Sequence, residues 1–251
     1  MRAARNDVPL GRDEVHVWWV RPEGAAEPEL RAAYDRLMTE EERAKQQRFY
    51  FEKGRHECLV TRALVRTTLS RYADVAPEVW RFTTNRWGCP RLLDPPTDLP
   101  LRFNLTHTDG LIACAVALER DVGVDVEATD RPGETVEIAD RFFSVAEYEE
   151  LVSQPPERQQ ARFFDYWTLK EAYIKARGMG LAIPLGQFTY RLRDGAPIGI
   201  EFGPELDDDP AAWQFAQFAP TERHALAVAV RRGAGGGEVS IQLRETLPLR
   251  W

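Results

Sequence analysis

The sequence predicts an α+β fold, a pseudo-two-fold pair of similar α+β lobes with a cleft between them. Three observations carry this prediction. Short β-branched and aromatic runs alternate with segments of helical periodicity. Each half repeats one order of signals: a capping box, a long helix, then a run of strands. A length of 251 residues with 43% hydrophobic content is enough to bury one large core or two small ones. The expected units are residues 1–121 and 122–251.

Val15–Val20 (VHVWWV) reads as a buried strand closed by Arg21-Pro22. Leu30, Ala33, Tyr34 and Leu37 recur at helical spacing within Glu29–Met38, and Thr39-Glu40-Glu41-Glu42 is a capping box that starts the next helix. Gly54 interrupts that pattern. Arg55–Tyr72 resumes it, with Leu59, Ala63, Leu64 and Leu69 inward and Arg62, Arg66 and Arg71 outward. Trp80–Thr84, Leu101–Thr108 and Leu111–Leu118 read as strands, with Asp109-Gly110 as the hairpin turn between the last two. Val122–Glu127 is a further strand, and Ala128–Glu134, broken by Pro132-Gly133, is the expected linker. Ser144–Glu147 repeats the capping box, and a helix over Arg158–Arg177 stops at Gly178 and Gly180. Strands over Phe188–Arg193, Ile198–Phe202, Trp213–Phe218, His224–Arg231 and Val239–Arg244 complete the second half.

A net charge of −7 argues against a protein that coats nucleic acid, since duplex binding rests on neutralising phosphates with a basic face. Between Arg43 and Arg71, however, basic residues outnumber acidic ones, a local patch suited to an acidic partner. Cys58, Cys89 and Cys114 fit neither a metal-ligand spacing nor an even disulfide framework, which points to a reducing compartment. The first residues hold no apolar core of signal-peptide length, and no apolar run approaches the roughly 20 residues that cross a bilayer. The expectation is a cytoplasmic protein without membrane contact.

Three motifs bear chemistry. Asp125 and Glu127, two apart in VGVDVE, share one face of a strand while Val124 and Val126 share the other. They are either solvated strand-end acids or a pair that shares a divalent cation, for which magnesium is suited. Trp167, Glu171 and Lys175 follow at i, i+4 and i+8 on one side of a helix. This is either a metal-plus-phosphate wall or an ordinary ion pair worth about 0.3–0.5 kcal/mol beside a core tryptophan. The chain has four lysines among its 33 basic residues, and Lys170 and Lys175 stand in this one stretch, which shifts the balance towards the metal-plus-phosphate reading. In FNLTHT, alternation puts Asn104, Thr106 and Thr108 on one side and His107 opposite. His107 is either a donor to phosphate oxygens or an ordinary hydrogen-bonded histidine near a turn.

In this order and at these separations, FNLTHT (Phe103–Thr108), VGVDVE (Val122–Glu127), RFFSVAEYEEL (Arg141–Leu151) and FFDYWTLKEAYIKARGMGL (Phe163–Leu181) resemble the 4′-phosphopantetheinyl transferase superfamily, in its Sfp-type branch. TEEERAKQQRFY (Thr39–Tyr50) is similar to the family's N-terminal helix, so the resemblance spans about Thr39 to Leu181. It implies a monomer with coenzyme A in the cleft, and transfer of the phosphopantetheine arm to a serine of an acyl or peptidyl carrier protein, releasing adenosine 3′,5′-bisphosphate. The Sfp-like length implies broad use on the carriers of secondary metabolism, those of polyketide and nonribosomal peptide synthesis, while the sequence leaves the choice between these and fatty-acid carriers open.

By the same resemblance Asp125, Glu127 and Glu171 ligate magnesium, with Glu127 or Glu171 as base for the serine hydroxyl. Lys175 holds the pyrophosphate. Lys45, Thr106 and His107 meet coenzyme A phosphates, and Thr84, Gly88 and Cys89 line its adenine and 3′-phosphate end. The sequence departs from the pattern at Cys89, where many relatives carry lysine, and in its threonines where serines are usual; Arg86 or Arg91 is the expected substitute cation. Ala128–Phe143 is the implied landing segment for the carrier, with Val136, Ile138, Phe142 and Phe143 either forming that surface or packing in the core. Two alternatives belong to other classes: a magnesium-dependent phosphohydrolase, and a catalytically silent module that binds carrier proteins.

Overall fold

The computed structural model describes residues 8–131, 136–193 and 195–251. Strand β1 (Glu14–Val20) precedes helices α1 (Pro28–Leu37), α2 (Glu40–Gln46) and α3 (Glu52–Ser70). A short hairpin, β2 (Phe82–Thr84) and β3 (Pro90–Leu92), leads into a long one, β4 (Leu101–Thr108) and β5 (Leu111–Leu118). Then come β6 (Val122–Ala128), α4 (Ala139–Phe142), α5 (Val145–Ser153) and α6 (Pro156–Arg177). The chain ends in β7 (Phe188–Arg191), β8 (Gly199–Phe202), β9 (Trp213–Thr221), β10 (His224–Arg231) and β11 (Ser240–Glu245). Both capping boxes form: Thr39 with Glu42 and Ser144 with Glu147 exchange side-chain and backbone hydrogen bonds at 2.9–3.3 Å.

One sheet has the order β11-β1-β5-β4 and another β6-β10-β9. β11 crosses from the second half of the chain to pair in parallel with β1, while the remaining ladders are antiparallel. β5 (LIACAVAL) is apolar on both faces, as a strand covered on both sides must be. Its Ile112, Cys114 and Val116 join the core beneath α1 and α3, whereas Leu111, Ala113, Ala115 and Ala117 pack on Val124, Val126 and Val228 of the other sheet. On β10 the alternation repeats: Leu226, Val228 and Val230 face the first sheet, while Ala227 and Ala229 face the core that contains Leu169, Ala172 and Tyr173 of α6. The layers therefore run helix, sheet, sheet, helix.

The edges of the two sheets are stitched together by side chains. Asn104 Oδ1 accepts from the Val124 N–H at 3.1 Å, and the Thr106 and Thr108 hydroxyl oxygens accept from the Val126 and Ala128 N–H groups at 3.2 Å each. Three buried donors on the edge of β6 thus find partners without a neighbouring strand.

Gly123 explains how closely α6 approaches β6. A Cβ at this position would lie 2.0 Å from the Ala172 carbonyl oxygen and 2.5 Å from the Ala176 nitrogen, so helix backbone rests directly on strand backbone. Both contacts are with main chain and neither can swing aside. Gly123→Ala is therefore expected to cost at least about 3 kcal/mol, above the usual range for overpacking, and urea unfolding will read it as a lowered midpoint.

Three sequence expectations are corrected. Gly54 does not interrupt the helix but lies in the first turn of α3, where the roughly 1 kcal/mol cost of glycine is tolerated beside Phe49, whose ring would crowd a Cβ at 3.0 Å. Arg66 and Arg71 are buried, not outward. Arg66 donates to Glu42 at 2.8 Å and lies over the Phe82 ring; Arg71 lies over Trp18 and Trp251 and donates to Thr246 at 2.9 Å. Their partners come from other elements, which helical spacing within α3 does not reveal. Trp80 precedes the short β2 as a fully buried side chain that donates to Ser70. Val136, Ile138, Phe142 and Phe143 pack on the core under α6, and Pro132-Gly133 of the expected linker lies outside the described residues.

Candidate active site

The face of β6 that carries Asp125 and Glu127 meets two elements. β4 presents Thr106 and Thr108 from one side: the Thr106 hydroxyl is 3.1 Å from Asp125 Oδ1, and the Thr108 hydroxyl 3.5 Å from Glu127 Oε2. α6, pressed against Gly123, brings Glu171 and Lys175 from the other. The Lys175 ammonium donates to Asp125 Oδ1 at 2.5 Å, to Thr106 Oγ1 at 3.3 Å and to the Val124 carbonyl at 3.4 Å. Arg131 reaches Glu127 Oε2 at 3.1 Å.

The three carboxylates are all held above the ordinary carboxylate range. Burial is the main cause for each, and mutual repulsion adds to it: Asp125 pushes Glu127 up, and Asp125 and Glu127 together with burial push Glu171 up to about 7. Lys175 and Arg131 only partly offset this. Asp125 Oδ2 is buried and has no hydrogen-bond partner, an orphan acceptor in a cluster short of positive charge. Among the described residues no three His, Cys, Asp or Glu side chains converge tightly enough to hold an ion as they stand. In this conformation the cation next to Asp125 is the Lys175 ammonium.

The other expected residues are distributed as follows. Lys45 is exposed on α2 and pairs with Glu41 at 3.0 Å. His107 is exposed on the opposite side of β4 from Thr106, as alternation requires. Thr84, Gly88 and Cys89 lie on the β2–β3 hairpin, whose turn needs the positive φ of Gly88 (82°) and is tied by Asn85, which accepts from the Trp87 and Cys89 N–H groups. The Asn85 amide also donates to the Gly178 carbonyl at 2.7 Å, docking the hairpin on the end of α6. Cys89 lines a cavity of about 200 Å³ that it shares with Lys175 and Arg91. Arg86 is elsewhere, over the Trp87 ring.

Lys170 has a different task from Lys175. It is fully buried, 2.8 Å from Glu147, and donates to the Leu185 and Phe188 carbonyls at 2.7 and 2.8 Å. Glu147 also accepts from the Ser144 and Tyr190 N–H groups. The pair ties α5, α6 and β7 together. Sequence reasoning missed this role, as it missed Asn104 and Thr108 as clasps between the sheets and Arg131 as the partner of Glu127. The alternate polar positions of β4 were the available signal for the clasps.

A family model described as the 4′-phosphopantetheinyl transferase superfamily matches residues 121–229, the span that holds β6, α6, β9 and most of β10. The 4′-phosphopantetheinyl transferase HetI of Nostoc sp. is 35% identical over 224 residues, covering 89% of this chain and 90% of HetI. The chain belongs to the 4′-phosphopantetheinyl transferase superfamily. A second member of that superfamily, the 4′-phosphopantetheinyl transferase Sfp of Bacillus subtilis, is 35% identical over 165 residues, or 66% of this chain and 71% of Sfp. A further Bacillus subtilis 4′-phosphopantetheinyl transferase is 34% identical over 212 residues, covering 84% of this chain and 89% of that protein. Asp125, Glu127, Glu171 and Lys175 all fall within the span matched by the superfamily model, while Thr106 and the β2–β3 hairpin precede it.

Proposed function

We propose that this chain transfers the 4′-phosphopantetheine moiety of coenzyme A to a serine of an apo acyl or peptidyl carrier protein, with Mg²⁺ bound by Asp125, Glu127 and Glu171. The observation that carries the proposal is the orphan oxygen of Asp125, which sits among three acids that burial and repulsion leave short of a cation. Hard carboxylate oxygens suit magnesium, which keeps further positions for phosphate and water. Binding the ion entails side-chain rearrangement, because the acids do not converge as they stand. When bound, the ion would neutralise charge on the pyrophosphate of coenzyme A.

The serine hydroxyl attacks the phosphorus attached to the pantetheine arm. A new O–P bond forms, the bond to the bridging oxygen breaks, and adenosine 3′,5′-bisphosphate departs with that oxygen. The serine proton passes to Glu127 or Glu171, the two partly open acids, since Asp125 is enclosed and already engaged by Thr106 and Lys175. Lys175, a compact ammonium that lines the shared cavity, holds the pyrophosphate as a point charge. The machinery straddles the proposed units 1–121 and 122–251, with Thr106 from the first and the acids from the second. The exposed part of the basic segment between Arg43 and Arg62 is the proposed contact for an acidic carrier.

The test is incubation with coenzyme A, Mg²⁺ and a panel of apo carrier proteins, followed by mass spectrometry of intact protein. A mass gain on the carrier equal to phosphopantetheine is the expected result. Consumption of coenzyme A with the carrier unchanged would mean hydrolysis and overturn the proposal.

A further inference from the structure

We infer that Thr106 and Thr108 are positioning residues for the metal site: each hydroxyl grips one oxygen of an acid on β6 and so sets which oxygen that acid turns to the cation. The inference deepens the magnesium reading above and rests on it. The Thr106 hydroxyl has three partners. It donates to Asp125 Oδ1 at 3.1 Å and accepts from the Val126 N–H at 3.2 Å and from the Lys175 ammonium at 3.3 Å. A hydroxyl has one proton and two lone pairs, so its whole capacity is used within the protein.

The two threonines repeat one pattern. β4 and β6 advance in step, so each threonine accepts from the N–H that follows the acid to which it donates: Thr106 from Val126 after Asp125, Thr108 from Ala128 after Glu127. The Thr108 hydroxyl is 3.5 Å from Glu127 Oε2. A cation joins each grip on the same oxygen, Lys175 at Asp125 Oδ1 (2.5 Å) and Arg131 at Glu127 Oε2 (3.1 Å). With Oδ1 held by Thr106 and Lys175, the oxygen left to Asp125 is Oδ2, the buried acceptor without a partner.

The residue type suits the task. A β-branched side chain is stiff at χ1 and at home in a strand, so the hydroxyl stays aimed at its acid. Thr106 is buried, which keeps solvent from competing for its proton. Glu127 depends less on its threonine than Asp125 does, because the contact is longer and the Trp167 indole adds a hydrogen bond to the same carboxyl. Asn104, the third member of the row, supplies a built-in control: it accepts from the Val124 N–H at 3.1 Å and makes no hydrogen bond to an acid among the described residues.

Binding of Mn²⁺ in the presence of coenzyme A, read by electron paramagnetic resonance, tests this with the wild type, Thr106→Val, Thr106→Ser, Thr108→Val and Asn104→Ala, each also unfolded in urea. Valine keeps the shape of threonine and removes the hydroxyl. Thr106→Val should weaken Mn²⁺ binding by roughly tenfold to a hundredfold, the scale of losing an outer partner of a metal ligand, and Thr108→Val by less. Thr106→Ser, which keeps the hydroxyl, should recover most of the loss. The two valine variants and Asn104→Ala should all lower the urea midpoint, since each leaves a β6 N–H unpaired, but Asn104→Ala should bind Mn²⁺ as the wild type does. Wild-type affinity in Thr106→Val overturns the inference, and so does equal weakening in Asn104→Ala, which traces the effect to the contact between sheets alone. Should Thr106→Val not fold, Thr108→Val decides: weaker binding than wild type supports the inference and equal binding overturns it. If the wild type binds no Mn²⁺, the magnesium reading falls and this inference with it.

Discussion

Asp125→Asn is expected to reduce phosphopantetheine transfer by roughly 10²–10³-fold, the scale of losing a preorganised electrostatic group at the reacting centre. The substitution keeps the shape of the side chain and the contact to Thr106, and removes the charge. Asp125 is buried, its carboxyl is held above the usual range, and one of its oxygens has no partner, so the native protein gains nothing in stability from this charge beyond the Lys175 contact. The variant should therefore melt at the same temperature as the wild type or above it while losing activity, the pattern of a site retained for chemistry at the expense of stability. Thermal melting with a carrier-modification assay reads both quantities. Transfer within tenfold of wild type would remove Asp125 from the reaction.

Lys170→Met is expected to do the opposite, unfolding the protein by a mechanism unrelated to chemistry. Lys170 and Glu147 are both fully buried and mutually paired, and every polar atom of the pair has a partner. Removing the ammonium leaves the Glu147 carboxylate uncompensated in the core beside Tyr190 and costs about 3–5 kcal/mol. The loss appears as a lowered urea midpoint. Replacing both partners, as Glu147→Leu with Lys170→Met, should cost less than the sum of the single changes, because no lone charge then remains. If Lys170→Met has the stability of the wild type, the pair does not clamp α6.

Much of this architecture was legible from local periodicity. Alternation in VGVDVE put Asp125 and Glu127 on one face, the i, i+4 spacing put Glu171 and Lys175 on one side of a helix, and both capping boxes marked helix starts that the structure contains. Such patterns depend on backbone period alone. What was not legible depends on which elements meet. Arg66 read as solvent-facing because its helix position allows it; Glu42 and Phe82, which bury it, come from α2 and β2. Two lysines five residues apart looked like a single signal, yet Lys170 points into the core and Lys175 into the cleft. Gly123 could be seen as the glycine of a motif, but its reason, a helix backbone 2.0 Å from the missing Cβ, needs the packing of α6 on β6. The polar row of β4 likewise gains its meaning only once β6 is known to be the neighbouring edge.

The most direct measurement is a titration with Mn²⁺, as a paramagnetic substitute for Mg²⁺, followed by electron paramagnetic resonance in the presence of coenzyme A. The wild type should take up one ion per chain, and Asp125→Asn, Glu127→Gln and Glu171→Gln should each weaken uptake by at least about tenfold. Uptake by Glu171→Gln equal to that of the wild type would show that α6 contributes no ligand, and would contradict a metal site shared between strand and helix.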